Sequence, residues 1–393
     1  MISRNFLRRL CRGVALATLL CIVACKHDND DSNSSLLPTA KQYEEKKGLL
    51  AVFYAPSSRG DRAFVDLLTL GASKAANSNS LLIAQYEPTA WDKVSESFDT
   101  ALLIASKMHE KNKKSLFIFT DTGYSSFITQ NSEKIAEYAA KGVTFLFGES
   151  KQAPAQNIHT YYMPVYGIRY EAGLLANRLV EYNNEESRDK LLIILANNKD
   201  DSQKDSANAF IDGFYSSGTY GTKENAAWLS PFNENTFDEI GELDTNKNLY
   251  VLPLSDAAGG GFDQQQLLYD LGKDESFIAA CILIIFPLCG GSIHGILRYN
   301  REFTDSFWTI GMDTDRQAYS IDVPYSVIKH IDRVIEKCVS QWLKESLPQH
   351  QSFGISEGYT EILISEYWED KFEVSTLNSA HQTAIEKESE HEK

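Results

Sequence analysis

Residues 49–76 read LLAVFYAPSSRGDRAFVDLLTLGASKAA. Residues 49–54 are a continuous apolar run, which is typical of a strand buried on both faces of a sheet. Small and polar residues follow, and residues 64–76 then repeat apolar side chains at the spacing of an amphipathic helix. The stretch therefore predicts a strand, a loop and a helix, the unit from which parallel α/β sheets are built.

The same alternation continues through most of the chain. Further apolar runs that predict strands are residues 81–86, 115–120, 143–147, 160–165, 191–196, 249–254, 277–286 and 308–312. Amphipathic segments such as 132–141 lie between them, and residues 170–180 predict the helix that begins the second series. Two series of continuous apolar strands predict an α/β fold with two doubly wound parallel-sheet lobes around a cleft.

Length and charge limit the organisation and the partners. The chain after residue 46 is longer than one hydrophobic core usually supports. We predict a first lobe at 47–164 and 325–350, a second lobe at 165–324 and 351–377, and a charged tail at 378–393. The formal net charge of −16 argues against a nucleic acid partner. The chain has no GxSxG, P-loop or HExxH motif, so we expect no enzyme, no metal site and no cofactor.

The N-terminus has the pattern of an export signal. Arginines precede an apolar run at 14–23, which is shorter than the roughly 20 residues of a membrane span. Residues 22–25 (IVAC) resemble the lipobox of bacterial lipoproteins, and this implies a signal peptide at 1–25 and lipid attachment at Cys25. An ordinary signal peptide with a chance cysteine is the alternative.

The segment behind the cysteine is polar and acidic. Residues 26–46 predict a flexible tether, because such a composition buries little apolar surface. The acidic stretch resembles the surface-export signals of some Gram-negative lipoproteins, and a solubilising linker is the alternative. We therefore expect a lipid-anchored, extracytoplasmic protein on the periplasmic face or the cell surface.

Loops that follow the strands are the candidate binding loops, because ligands of open parallel sheets bind beyond the carboxyl ends of the strands. In the first loop, Asp61 could contact a ligand or cap the next helix, and Phe64 could stack on a flat ligand or belong to the core. The loop at 259–263 (GGGFD) contains Phe262. The loop at 311–317 (GMDTDRQ) contains Asp313, a carboxylate that could accept hydrogen bonds from a diol.

A glycine loop also opens a helix at residues 289–295 (CGGSIHG), which include Gly291 and Ser292. Glycines there let the backbone approach a ligand closely, or merely form a turn. Beyond the last of these loops, residues 326–329 read Ser-Val-Ile-Lys and end at Lys329.

Taken in order, these motifs resemble the basic membrane protein family, the purine nucleoside receptor-type solute-binding lipoproteins. The resemblance covers residues 48–365 and rests on the segments 61–65, 170–173, 213–214, 261–263, 289–295, 310–317 and 326–329. It implies the type I periplasmic binding fold. It also implies a nucleoside held between the rings of Phe64 and Phe262, with its ribose bound by Asp313 and Lys329. Asp61, Gly291 and Ser292 complete the predicted ligand set.

The first loop departs from that family. Val65 stands where the family has asparagine, and Ala63 stands where it has serine. The resemblance implies a nucleoside-like ligand, an ABC permease as partner and binding by hinge closure. The alternative is a surface lipoprotein scaffold with a degenerate pocket and no small-molecule transport role.

Overall fold

The apolar runs form the strands of the protein in a computed structural model, which describes residues 37–393 except 57, 183–190, 198–200, 230–246, 255–264, 274–281, 289–290, 292 and 304–306. The strands are β1 (Gly48–Phe53), β2 (Leu82–Tyr86), β3 (Lys114–Phe119), β4 (Val143–Phe147), β5 (Ile158–Tyr162), β6 (Leu191–Asn197), β7 (Ala226–Trp228), β8 (Leu249–Leu254), β9 (Ile282–Pro287), β10 (Trp308–Thr309), β11 (Gly311–Asp313), β12 (Tyr325–Lys329), β13 (His350–Ser352) and β14 (Thr360–Ile364). The helices are α1 (Ala40–Glu45), α2 (Phe64–Ser78), α3 (Val94–Glu110), α4 (Ser125–Gln130), α5 (Ser132–Ala140), α6 (Tyr166–Tyr182), α7 (Asp201–Phe214), α8 (Gln265–Lys273), α9 (Ile293–Glu302), α10 (Ile331–Leu343) and α11 (Val374–His391).

The first lobe is built on a sheet with the strand order β13-β5-β4-β3-β1-β2, in which every pair is parallel. All six residues of β1 are buried, because helices cover both faces of the sheet. Leu68 of α2 and Val334 of α10 pack on one face. Phe98 of α3 and Ile135 of α5 pack on the other. This lobe confirms the predicted parallel sheet.

The second lobe contains a parallel sheet with the strand order β10-β9-β6-β8-β7. Helices α6 and α7 cover one face, and α8 and α9 cover the other. The first pair packs closely at Gly173 and Gly213, where an added Cβ would clash with the backbone carbonyl oxygens of Phe210 and Tyr170. Glycine is therefore required on both sides of this helix crossing. Of the predicted strand at 277–286, residues 277–281 lie outside the described part.

A third, small sheet has the order β11-β12-β14, with β12 and β14 antiparallel. Tyr325 and Val327 of β12 belong to the second lobe's core, whereas α10 and β13 belong to the first lobe. The lobes thus divide near residues 330 and 352, instead of at 325 and 351 as the sequence pattern suggests. The chain crosses between the lobes at 163–165, near 330, and at 353–359.

Both ends of the described chain are helical, where the composition predicts a flexible tether at 26–46 and a charged tail, frayed helix or disordered, at 378–393. Helix α1 lies within the predicted tether and places Tyr43 in the first lobe's core. The predicted charged tail is part of α11, which packs against α6 and buries Ala380 and Ala384. The alanines form a narrow apolar stripe between charged side chains, and this stripe is the face by which the helix packs.

Candidate functional site

Two adjoining cavities lie at the carboxyl ends of the strands, between the lobes. The smaller cavity, called the inner cavity because the buried residues Arg169 and Asp313 line it, has a volume of ≈ 230 Å³, and the other, called the outer cavity, has ≈ 520 Å³. Phe64, Glu149, Val165 and Ser202 line both, so the two form one cleft. The walls come mainly from the carboxyl ends of strands in all three sheets, the loops that follow them and the first turns of α2, α6 and α7, as expected for a parallel α/β fold.

Three of the residues singled out from the sequence meet in the inner cavity, namely Phe64, Asp313 and Lys329. Phe64 begins α2, immediately after the loop that follows β1. Lys329 ends β12 next to a crossover between the lobes, and its Nζ atom lies 4.5 Å from the centre of the Phe64 ring. Asp313 ends β11 and is buried. An aromatic face, a cation and a carboxylate are thus available to one ligand.

Arg169 of α6 stands beside Asp313 in the same wall. Its side chain is 1% exposed, and its Nη2 atom lies 4.0 Å from Oδ1 of Asp313. Nε and Nη1 have no hydrogen-bond partner among the described residues. The guanidinium carbon lies 5.6 Å from the centre of the Phe286 ring. Burial lowers the pKa of Arg169 to about 10, and the charge of Asp313 opposes that shift.

Glu149, in the loop after β4, is the partner of Lys329. Oε2 of Glu149 accepts a hydrogen bond from Nζ of Lys329 at 2.9 Å, and Oε1 has no partner within the described ranges. The backbone φ angles of Glu149 and Asp313 are 56° and 63°. This left-handed conformation costs an L-residue roughly 1–2 kcal/mol. Such strain is concentrated at functional sites, where the surrounding structure maintains it.

Two other predicted residues, Asp61 and Gly291, lie between the lobes without lining either cavity. The Asp61 carboxylate accepts hydrogen bonds from the backbone N–H groups of Ala63, Val65 and Asp66, so it caps the start of α2. Burial raises the pKa of Asp61, and these N–H groups oppose the shift. A Cβ on Gly291 would lie 2.8 Å from the Asp61 carbonyl oxygen, so glycine allows this close contact between the lobes. Phe262 and Ser292 lie outside the described residues.

The last helix completes the outer cavity. His391 lines that cavity and stacks on Tyr166, with 4.2 Å between the ring centres. Its neighbour Glu392 forms an ion pair with Lys151 of the first lobe, with 3.0 Å between Nζ and Oε1. Helix α11 therefore contacts both lobes at the mouth of the cleft.

Glu388, one turn before His391, is buried against the crossover at 353–359. Its Oε1 atom accepts a hydrogen bond from the Ile355 N–H at 2.9 Å, and Oε2 has no partner in the described structure. Burial raises the pKa of Glu388 to about 7. The backbone N–H groups of Ile355 and Gly167 oppose this rise in pKa, and the nearby carboxylates of Glu392 and Glu357 add to it.

Sequence reasoning missed Glu149, Arg169 and His391. Glu149 directly follows a predicted strand, so the rule that placed Asp313 at a strand end could also have found it. Arg169 precedes the predicted start of its helix at residue 170, whereas the helix begins at Tyr166. His391 lies in the segment predicted to be a charged tail, for which no binding role was expected.

Neither a metal centre nor a membrane span is found in the described residues. They contain no group of three or more His, Cys, Asp or Glu side chains arranged to hold a metal ion. None of their helices combines the length and the apolar character that a bilayer crossing needs.

Comparisons with known proteins identify the fold. No known family's sequence profile matches the chain, and no curated protein matches its sequence. An ABC transporter solute-binding protein from Aeropyrum pernix K1 superposes with a TM-score of 0.60 at 13% identity, over 88% of this chain and 85% of that one. A transcriptional activator of the comK gene from Bacillus halodurans gives 0.56 at 12% identity, over 86% and 96% of the two chains. An ABC transporter solute-binding protein from Conexibacter woesei DSM 14684 gives 0.52 at 9% identity, over 88% and 97%. The chain therefore has the two-lobed α/β fold of the type I periplasmic binding proteins.

Proposed function

We propose that this protein is an extracytoplasmic solute-binding protein that binds a small molecule between its lobes by hinge closure and performs no chemistry on it. The observation that carries the proposal is the meeting of Phe64, Asp313 and Lys329 in one cavity between the lobes. The outer cavity of ≈ 520 Å³ lies within the range of about 300–1,000 Å³ that small-molecule sites occupy. The similarity in fold to ABC transporter solute-binding proteins supports the same role.

The ligand we propose is nucleoside-like. The Phe64 ring offers a face on which a flat base could stack. Asp313 accepts hydrogen bonds and Lys329 donates them, which suits the hydroxyl groups of a ribose. The resemblance of the motifs to the basic membrane protein family points to the same ligand class.

The proposal includes a lipid anchor at Cys25 and delivery of the solute to an ABC-type permease. The lipobox-like residues 22–25 support the anchor. Several acyl chains on one cysteine would hold the protein firmly, since each buried methylene contributes about 0.8 kcal/mol.

Thermal-shift screening of the purified protein with nucleosides and neutral sugars tests this function, followed by calorimetry on every hit. A ligand at one hundred times its dissociation constant stabilises the native state by about 2.7 kcal/mol. We expect at least one nucleoside to produce such a shift. A set of nucleosides that leaves the melting temperature unchanged would contradict the proposed ligand class.

A second function, a surface scaffold with a degenerate pocket, is favoured by one specific observation. Lys329 already pairs with Glu149, and Asp61 already caps α2, so two polar groups of the predicted site have partners without a ligand. Under this alternative, no small molecule from any class would stabilise the protein.

A further inference from the structure

The buried guanidinium group of Arg169 has too few hydrogen-bond partners for a charged group that is shielded from water. Within the described part of the chain, Nε and Nη1 have no acceptor, and Nη2 is 4.0 Å from Asp313. Charge-assisted hydrogen bonds are much shorter, at about 2.7–2.9 Å between nitrogen and oxygen. A buried polar group without a partner costs about 1–3 kcal/mol, and a charged group costs more. This arginine therefore has unused donors where water is scarce.

Arg169 is placed where its unpaired N–H donors could serve a ligand. Its side chain lines the inner cavity together with Phe64, Asp313 and Lys329. It projects from α6, whose packing against α7 is fixed by the glycine crossing at Gly173. The backbone that carries Arg169 is therefore held in place before any ligand arrives.

The charged side chains that line the inner cavity indicate which chemical group of a solute would pair with Arg169. The wall carries two cations, Arg169 and Lys329, and two carboxylates, Asp313 and Glu149. Glu149 lies within hydrogen-bond distance of Lys329, so this pair largely neutralises itself. The other pair is looser, and Arg169 retains two nitrogens that need acceptors. A neutral polyol would satisfy Asp313, but it would offer Arg169 only weak acceptors.

We propose that the solute carries a carboxylate and that Arg169 is the residue that binds it and selects for it. A carboxylate matches the planar guanidinium group in both charge and hydrogen-bond geometry. An incoming carboxylate would supply the acceptor that this guanidinium group lacks, since even the Asp313 carboxylate lies 4.0 Å from Nη2. The inference rests on the proposed binding of a solute in this cleft, and it narrows the solute to acids.

Calorimetry with matched pairs of probes tests this selectivity. The pairs are glucuronate with glucose, galacturonate with galactose, and adenosine-5′-carboxylate with adenosine, so each pair differs in an acid group. In the wild type, we expect the acid of the pair that fits the cleft to bind roughly tenfold to hundredfold more tightly, the range that hydrogen bonds to charged groups provide. In Arg169→Gln, we expect this preference to disappear.

Arg178→Gln is the matched control, because Arg178 lies on the same helix, is half-exposed and pairs with Glu181. It should keep the full preference for the acid. If Arg169→Gln does not fold, as judged by circular dichroism, Arg169→Lys keeps a positive charge with different donor geometry. That variant should show a reduced preference.

The outcomes separate this inference from the broader function. Equal binding of acid and neutral probes by the wild type would overturn the role of Arg169 and leave solute binding intact. An acid preference that survives in Arg169→Gln would do the same. Binding of sugar acids without any nucleoside compound would support the role of Arg169 and contradict the nucleoside-like ligand. Binding of no probe at all would count against both.

Discussion

Replacing Glu388 by glutamine should stabilise the protein at alkaline pH and have little effect near pH 5. The pKa of Glu388 rises from 4.5 to about 7 because the carboxyl group is buried in α11. Between these two values the native state holds a proton that the unfolded state has released. Stability therefore falls as the pH rises from about 4.5 to 7, and the loss is complete above pH 7.

The size of the effect follows from the shift. About 2.5 pKa units at 1.36 kcal/mol each correspond to about 3 kcal/mol as an order of magnitude. Glutamine keeps an oxygen for the Ile355 N–H and removes the ionisation, so Glu388→Gln should recover much of this energy at pH 8. At pH 5 the wild-type group is already mostly neutral, and the two proteins should have similar stability.

Urea denaturation of both proteins at pH 5 and pH 8 measures this difference. Glu386→Gln is the control, because Glu386 lies on the same helix and is exposed. Its stability relative to the wild type should not depend on pH by more than a few tenths of a kcal/mol. A Glu388→Gln protein that is no more stable than the wild type at pH 8 would refute the reasoning, as would an equal gain at both pH values.

Three further predictions concern the anchor and the cleft. Cys25→Ala should leave the protein unprocessed or released from lipid, which membrane fractionation and intact mass would detect; normal fractionation with an unchanged mass would contradict the anchor. Asp313→Ala and Lys329→Ala should each weaken binding of a confirmed ligand by roughly 1.5–3 kcal/mol in calorimetry, and unchanged affinity in both would move the site elsewhere. Phe64→Leu should lower the affinity for a base-bearing ligand and leave the melting temperature near that of the wild type, because leucine keeps apolar volume and loses the π face; a fall in melting temperature with unchanged affinity would assign Phe64 to the core.

The local pattern of apolar and polar residues was sufficient to predict the parallel sheets and to place some of the residues that line the cleft. β1 and β8 are continuous apolar runs, which few structures other than a doubly covered parallel strand accommodate. Asp313 ends a strand and Phe64 closes the loop that follows β1, so the rule that ligands bind at the carboxyl ends of parallel strands led to both. Lys329 followed only from the family resemblance, since no pattern in the sequence marks the end of β12 as part of a cleft.

Other parts depended on contacts that no local pattern encodes. The role proposed for Arg169 depends on the lack of hydrogen-bond acceptors around its guanidinium group, and only the folded core determines which acceptors lie nearby. β13 joins β5 at the edge of the first sheet, yet its three residues carry no strand signal of their own. The apolar stripe of α11 is narrow, and its importance becomes visible only where Ala384 meets α6.

The edge strand of the first lobe, β13, comes from a distant part of the chain, and this affects how the lobe folds. His350 of β13 is aligned with Thr160 of β5, although 190 residues separate them in the chain. Helix α10, which covers one face of the same sheet, is also made late. During synthesis the N-terminal lobe therefore exposes an unpaired strand edge and an apolar face that α2 covers only in part, until most of the chain has emerged. The first lobe is therefore completed only after most strands and helices of the second lobe have been made, and such long-range closure favours slow folding and dependence on chaperones.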